Sequence, residues 1–178
     1  MEAGMRKHLW LGFAVGFVAL AFGLFWESDA VSKADTAVNA GQKAPNFELL
    51  DLDGNKVTLA ESAGKIRIVD FWATWCPPCR AEIPHFNALT AQFPDLVILG
   101  ITLDQQGPNP VKAFAKELNI QYPLLMGNIE TVQAFGNIQS IPTTFVIDQN
   151  GNIVRKYVGY RAQSVFEADI NALLRSGS

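Results

Sequence analysis

Phe71-Trp72-Ala73-Thr74-Trp75-Cys76-Pro77-Pro78-Cys79 contains both cysteines of the chain. Upstream, Ile66 to Trp72 is apolar and β-branched apart from Arg67 and Asp70, the pattern of a central strand. Downstream, Pro78 to Gln92 places Ile83, Phe86 and Leu89 on one helical face. The two sulfurs therefore stand where a strand turns into a helix. A three-residue offset at a helix start brings them within disulfide reach. The unpaired N–H groups and positive partial charge of a helix N-terminus favour a thiolate at Cys76. The turn sets that thiolate at the rim of a sheet. Pro77 and Pro78 stiffen it, and the N–H donors they lack are ones a first helical turn does not use.

An inert disulfide, a pair of buried thiols and a metal site compete with redox chemistry at such a pair. A disulfide closing so short a loop removes little chain entropy and is a poor staple. Zinc prefers four ligands. His85 is the one further candidate beside the cysteines, because His8 precedes the apolar run described below, so no metal is expected. A Cys-X-X-Cys in a βαβ setting is the arrangement that redox chemistry uses.

The 178 residues include 14 Lys+Arg against 17 Asp+Glu, a net charge of −3, and are 49% hydrophobic. The acidic balance argues against nucleic acid as a partner, since nucleic-acid modules are usually basic. The apolar content excludes disorder. Two cysteines are too few for a disulfide scaffold. The length fits one domain of roughly 100–200 residues with a short appendage.

That appendage is N-terminal. Leu9 to Trp26 is an 18-residue run without a charge, preceded by Arg6 and Lys7 and followed by Glu27 and Asp29. As a helix rising about 1.5 Å per residue it reaches roughly 27 Å, near the lower limit for a bilayer core of about 30 Å. Trp10 and Trp26 bracket the run where the interfaces would lie, and the basic flank belongs on the cytoplasmic side. A cleaved signal peptide, with Ser28 and Ala30 before the cut, is the competing reading, but its apolar region is usually only about 7–15 residues. The expected organisation is a cytoplasmic N-terminus over 1–8, a transmembrane signal anchor over 9–26, a flexible linker over 27–42 and a catalytic domain over 43–178. The catalytic domain is expected on the periplasmic or extracellular face of the membrane.

Within the domain, Phe47 to Leu50 and Lys56 to Leu59 flank the turn Asp53-Gly54-Asn55 and predict an N-terminal β-hairpin. Leu96 to Leu103 is almost continuously apolar, as buried parallel strands are. Pro110 is expected to open a helix running to about Leu118. Tyr122 to Leu125 is a short strand candidate, and Glu130 to Phe135 a short helix. Thr143 to Ile147 and Ile153 to Val158 are strands joined through Asn150-Gly151. Ser164 to Leu174 closes the chain as an amphipathic helix. The fold class is α/β, a mixed central sheet covered by helices on both faces.

Val69 to Cys79 resembles the active-site strand and turn of thioredoxins. The longer stretch, from Lys43-Ala44-Pro45-Asn46-Phe47 through Ile141-Pro142-Thr143-Thr144-Phe145-Val146-Ile147-Asp148, is similar to the membrane-anchored TlpA/ResA-like thiol–disulfide oxidoreductases. The resemblance implies a thioredoxin-like fold with an inserted helix near 110–118. It implies that Cys76 is the exposed attacking nucleophile and Cys79 the buried resolving thiol. Pro142, after Ile141, resembles the cis proline that faces the disulfide in that family, where the Ile141 backbone would pair with a substrate chain. Pro84 matches a helix-kinking proline. Asp70 lies in an apolar strand, where desolvation raises a carboxyl pKa, and matches the buried acid that serves the resolving cysteine in thioredoxins. Glu82, one turn after Cys79, resembles the active-site glutamate of ResA-like members; an acid simply favoured by the helix dipole is the competing reading. Trp75 is expected to shield the disulfide and contact substrate beside Pro77, whereas Trp72 reads equally as core.

The activity implied is extracytoplasmic thiol–disulfide exchange in the reducing direction, with no cofactor beyond a redox-active Cys76–Cys79 disulfide. Expected partners are oxidised exported proteins such as apocytochrome c, and a membrane thiol-transfer protein as electron donor. Two alternatives use the same cysteines. A thiol peroxidase has a similar Ala-Pro-Asn-Phe segment, but its Pro-x-x-x-Thr-x-x-Cys pattern would need Pro and Thr where this chain has Val69 and Ala73. A copper(I) chaperone would exploit paired soft thiolates, but the sequence supplies no convincing further ligands.

Overall fold

The structure is a computed structural model that describes residues 41–176. The expected anchor over 9–26, the segment 1–8 and most of the expected linker lie outside the described residues. Among the described residues no helix is long and apolar enough to cross a membrane.

Seven strands and four helices follow in the order β1 (Glu48–Asp51), β2 (Lys56–Thr58), β3 (Arg67–Trp72), α1 (Pro77–Gln92), β4 (Val97–Thr102), α2 (Pro108–Glu117), β5 (Leu124–Met126), α3 (Ile129–Ala134), β6 (Thr143–Ile147), β7 (Ile153–Val158) and α4 (Gln163–Ser176). They form one sheet ordered β2-β1-β5-β4-β3-β6-β7. β3 pairs parallel with β4 and antiparallel with β6, so the sheet is mixed. The hairpin β1–β2 joins the sheet through the antiparallel pairing of β1 with β5.

All six residues of β3 are buried, and their alternation divides the core. Ile68 and Trp72 face α1, α2 and α4, packing in one cluster with Ile83, Phe86, Val111, Phe166 and Ile170. Val69 and Phe71 face the other layer, with Phe47, Leu59, Phe135 and Phe145. There Phe71, Phe135 and Phe145 meet edge to face, with ring centroids 5.0–6.0 Å apart, the geometry that aromatic quadrupoles favour. Val132 of α3 packs on this second layer, so helices cover both faces.

Most element boundaries differ from the sequence reading by a residue or two, and three of the differences have a clear physical cause. α2 begins at Pro108 rather than Pro110, after Gly107 at φ 81°; both prolines fall in the first turn, where no N–H is needed. β5 begins at Leu124 rather than Tyr122, since Pro123 has no N–H for the ladder, although its carbonyl accepts the Gly100 N–H at 2.9 Å. Backbone pairing also reaches back before residue 43. Gly41 N–H donates to the Ile153 carbonyl at 2.7 Å, and Ile153 N–H to the Gln42 carbonyl at 2.8 Å. The last two residues assigned to the linker are thus strapped to β7, and Lys43 Nζ adds a 2.6 Å bond to the Asn150 carbonyl.

Gly127, between β5 and α3, sits where a Cβ would lie 2.7 Å from the Thr102 carbonyl oxygen. Its own N–H donates to that oxygen at 2.9 Å, so the backbones cannot part without losing the bond. Gly127→Ala is expected to lower stability by about 1–3 kcal/mol, the usual cost of overpacking. The urea midpoint of the variant against the parent measures this, and an unchanged midpoint contradicts it.

Candidate active site

β3 ends at Trp72, and four residues later the chain enters α1 with Cys76 as N-cap and prolines at the first helical positions. The turn is closed by the Cys76 N–H donating to the Ala73 carbonyl at 3.2 Å. Cys76 Sγ accepts the Cys79 N–H at 3.3 Å, so sulfur takes the place that a serine or aspartate oxygen usually holds at a helix head. Cys76 and Cys79 form a disulfide with S–S 2.02 Å and Cα–Cα 5.3 Å.

The expectation of an exposed Cys76 beside a buried Cys79 needs correction for this oxidised state. Each residue is only 3% exposed, because both sulfurs belong to the cluster that also holds Trp72, Ile83 and Phe86. The neighbours carry the exposure instead: Trp75 is 67% exposed, and Pro77 and Pro78 are exposed. Trp72 is core. Ile141–Pro142 is a cis peptide. Because Phe71 is paired with Thr143, Pro142 lies level with the end of β3 from which the cysteine turn departs. The half-buried Ile141 packs against both core clusters. Pro84 lies inside α1 without ending it.

Behind the disulfide lies a group of buried acids. Asp70 is 3% exposed, and its Oδ1 accepts the Thr144 hydroxyl at 3.0 Å. Burial pushes its pKa well up, the Glu82 charge adds to this, and the Thr144 bond opposes it. On its other edge Asp70 is paired with Gly100, whose missing side chain leaves room for the Trp72 and Tyr122 rings; a Cβ there would lie 3.1 Å from each. Glu82 is fully buried, which removes the reading of a surface acid placed by the helix dipole. Its Oε1 accepts the Arg161 backbone N–H at 2.6 Å, whereas Oε2 has no hydrogen-bond partner among the described residues. Burial raises Glu82 to about 7, against the lowering effect of the Arg161 N–H and guanidinium. Tyr122 is raised by burial and then by the charges of Asp70 and Glu82, which places all three in one electrostatic neighbourhood.

Sequence reasoning missed the residue that pins the cysteine turn. Asp104 accepts the Thr74 N–H at 2.9 Å, the Thr74 hydroxyl at 2.6 Å and the Thr102 hydroxyl at 2.6 Å. Its place just beyond the C-terminal end of a parallel strand, where α/β proteins gather functional groups, was the available signal. Arg161 was missed for a different reason: it acts on Glu82 through its main chain, which no side-chain pattern reveals. A separate pocket of about 340 Å³, lined in part by Ile66, Phe93 and Leu174, opens at the opposite edge of the sheet from the cysteines. Among the described residues no three His, Cys, Asp or Glu side chains are grouped to hold a metal ion.

Residues 40–156 match the AhpC/TSA family. The chain is 33% identical over 143 residues to the thioredoxin-like protein YneN of Bacillus subtilis, covering 79% of this chain and 84% of that protein. It is 32% identical over 128 residues to the thiol–disulfide oxidoreductase ResA of Bacillus cereus, covering 71% of this chain and 74% of that one. A crystal structure of a thiol:disulfide interchange protein of the thioredoxin family from Chlorobium tepidum superposes with a TM-score of 0.68 at 38% identity, over 74% of this chain and 95% of that one.

The raised Glu82 has a thermodynamic consequence. An acid that binds its proton more tightly folded than unfolded stabilises the fold below its unfolded value, and that contribution is lost as pH rises through the folded value. Wild-type oxidised protein is therefore expected to lose stability between the ordinary glutamate value of 4.5 and about 7. In Glu82→Gln that slope should flatten, leaving the part due to Asp70. Chemical unfolding at a series of pH values checks this, and parallel profiles for the two proteins would contradict it.

Proposed function

This chain belongs to the AhpC/TSA family and is a thiol–disulfide oxidoreductase with a thioredoxin-like fold, and from that premise we propose that it reduces disulfides of exported proteins outside the cytoplasm. The observation that carries this reading is the Cys76–Cys79 disulfide at the head of α1, with Cys76 as N-cap. On reduction, the Cys79 N–H that faces Cys76 Sγ, together with the positive end of the helix dipole, would stabilise a thiolate there. That thiolate attacks a client disulfide. One client sulfur leaves with the electron pair and takes up a proton, and the other stays bonded to Cys76. Cys79 then gives its proton to Glu82 and attacks Cys76 Sγ. The second client sulfur leaves as a thiolate, and the intramolecular disulfide is restored. Glu82, buried and one turn along α1 from Cys79, has a pKa suited to that transfer at neutral pH. Asp70, in β3, has its pKa raised well up by burial, which disfavours a second charge beside Glu82.

The reducing direction is what the resemblance of Val69–Cys79 and Ile141–Asp148 to TlpA/ResA-like oxidoreductases implies. The clients we propose are apocytochrome c or similar exported proteins, with a membrane thiol-transfer protein returning electrons to the disulfide. The apolar run over 9–26 would hold the domain at the membrane on the periplasmic or extracellular side. Trp75, Pro77 and the Ile141–Pro142 segment would form the contact surface for the client. A thiol peroxidase is the second reading, favoured by the family match, which includes Ala44-Pro45-Asn46-Phe47. Its active-site pattern fails at Val69 and Ala73.

Cys79→Ser in the full chain is expected to accumulate covalent adducts with client proteins on non-reducing gels, and Cys76→Ser is not. Equal trapping by the two variants overturns the assignment of roles. Rapid consumption of peroxide with stoichiometric thiol would instead favour the peroxidase.

A further inference from the structure

The connection from β7 to α4 meets the reactive edge at two points. Gly159 N–H donates to the Pro142 carbonyl at 2.8 Å, and Arg161 N–H donates to Glu82 Oε1 at 2.6 Å. Three consecutive residues thus tie the cis-proline segment to the buried acid. The Arg161 side chain is folded back over the same stretch. Its Nη1 donates to the Tyr160 carbonyl at 2.9 Å and to the Gly159 carbonyl at 3.4 Å, and the guanidinium lies 5.4 Å from the Tyr157 ring centroid. A cation held by two carbonyls and an aromatic ring keeps a fixed place relative to the carboxylate that its own main chain binds. The other carboxylate oxygen, Glu82 Oε2, is buried and has no hydrogen-bond partner among the described residues. Such an atom is rare in a folded protein and calls for a reason.

We infer that Arg161 is a positioning residue for Glu82: its main chain fixes Oε1, its guanidinium supplies a fixed positive charge, and Oε2 is left as the oxygen that takes up the Cys79 proton. The inference rests on the reading of Glu82 as the base for Cys79. In resolution the Cys79 thiol proton passes to Glu82, Cys79 Sγ bonds to Cys76 Sγ, and the client sulfur leaves with the electron pair. Glu82 then gives its proton to water, and the carboxylate is regenerated. Burial alone disfavours the ionised form that must accept the proton. The groups around Glu82 leave the opposing task to Arg161. Asp70 of β3 is a second acid whose own ionisation burial disfavours. Tyr122, ahead of β5, is raised by burial and then by both acids. Cys79 and His85 stand three residues away on α1, one on either side. Asp169 of α4 accepts the Tyr157 hydroxyl at 2.7 Å and is held by Arg155 of β7 at 3.3 Å, so these groups are engaged with one another. Burial pushes Glu82 up to about 7, and the two influences that oppose it, an N–H and a charge, both come from Arg161.

The test uses the reduced full chain and a small aromatic disulfide. Cys76 attacks it and releases one aromatic thiolate, and Cys79 then displaces the second, so stopped-flow absorbance separates attack from resolution. Arg161→Met keeps the N–H and removes the charge, whereas Arg161→Lys keeps a charge. Because the guanidinium lowers Glu82, its removal raises the pH at which the carboxylate forms. In Arg161→Met the midpoint of the resolution rate against pH is expected to rise by about one, the low end of what a nearby opposite charge supplies, with resolution below that midpoint about tenfold slower. Arg161→Lys should stay close to the wild-type midpoint. A wild-type midpoint in Arg161→Met, whether the rate is unchanged or lowered evenly across pH, overturns the inference. So does a midpoint in Arg161→Lys displaced as far as in Arg161→Met. Glu82→Gln separates the two levels. If it loses the titration near neutrality while Arg161→Met keeps the wild-type midpoint, the role of Arg161 alone fails; if Glu82→Gln keeps the wild-type midpoint, the role of Glu82 fails and the inference with it.

Discussion

A strand paired on both edges and covered on both faces must hide everything it carries, and β3 carries a carboxyl at its centre. The rest of the reactive edge is arranged around that constraint. Asp70 needs a donor, and β6 supplies the Thr144 hydroxyl directly across the ladder. It needs space for the rings that seal it, and β4 presents Gly100 on the other side. It cannot ionise cheaply in that setting, and the charge of Glu82 raises its pKa further. Cys79 and Glu82 are both buried on α1, and burial disfavours the charged form of both acids, Asp70 and Glu82.

The cysteine turn shows how several weak local preferences yield one geometry. Proline at the first two helical positions fixes φ where the helix has no N–H to satisfy. Sulfur replaces oxygen as the cap. Asp104 ties Thr74, the residue before Trp75, to Thr102 at the end of β4, accepting two donors from the first and one from the second. Each contact is modest. Together they leave the loop little freedom, which is what a nucleophile aimed by backbone dipoles requires.

Much of this was legible in the sequence because it rests on local pattern. The alternation of Ile68, Asp70 and Trp72 against Val69 and Phe71 announces a two-sided strand, and the cysteine spacing after it announces the chemistry. Asp70 could be read as a perturbed acid from its apolar surroundings alone. What stayed hidden depends on which distant segments meet. Glu82 reads equally as an acid favoured by the helix dipole until the Arg161 main chain is seen closing over it. Asp104 lies 30 residues from the threonine it holds. The burial of Cys76 arises from packing of the whole turn against the helical layer, which a motif that names only the sulfurs does not convey.

The strap at Gly41 fixes where the described chain begins relative to the sheet. Gly41 and Gln42 bond to Ile153, beside Ile147, which is paired with Arg67 at the start of β3. Cys76 follows the finish of the same strand. The six residues between span about 20 Å at the usual rise of roughly 3.3 Å each. Anything attached at Gly41 is therefore joined to the domain about one strand length away from the cysteine turn.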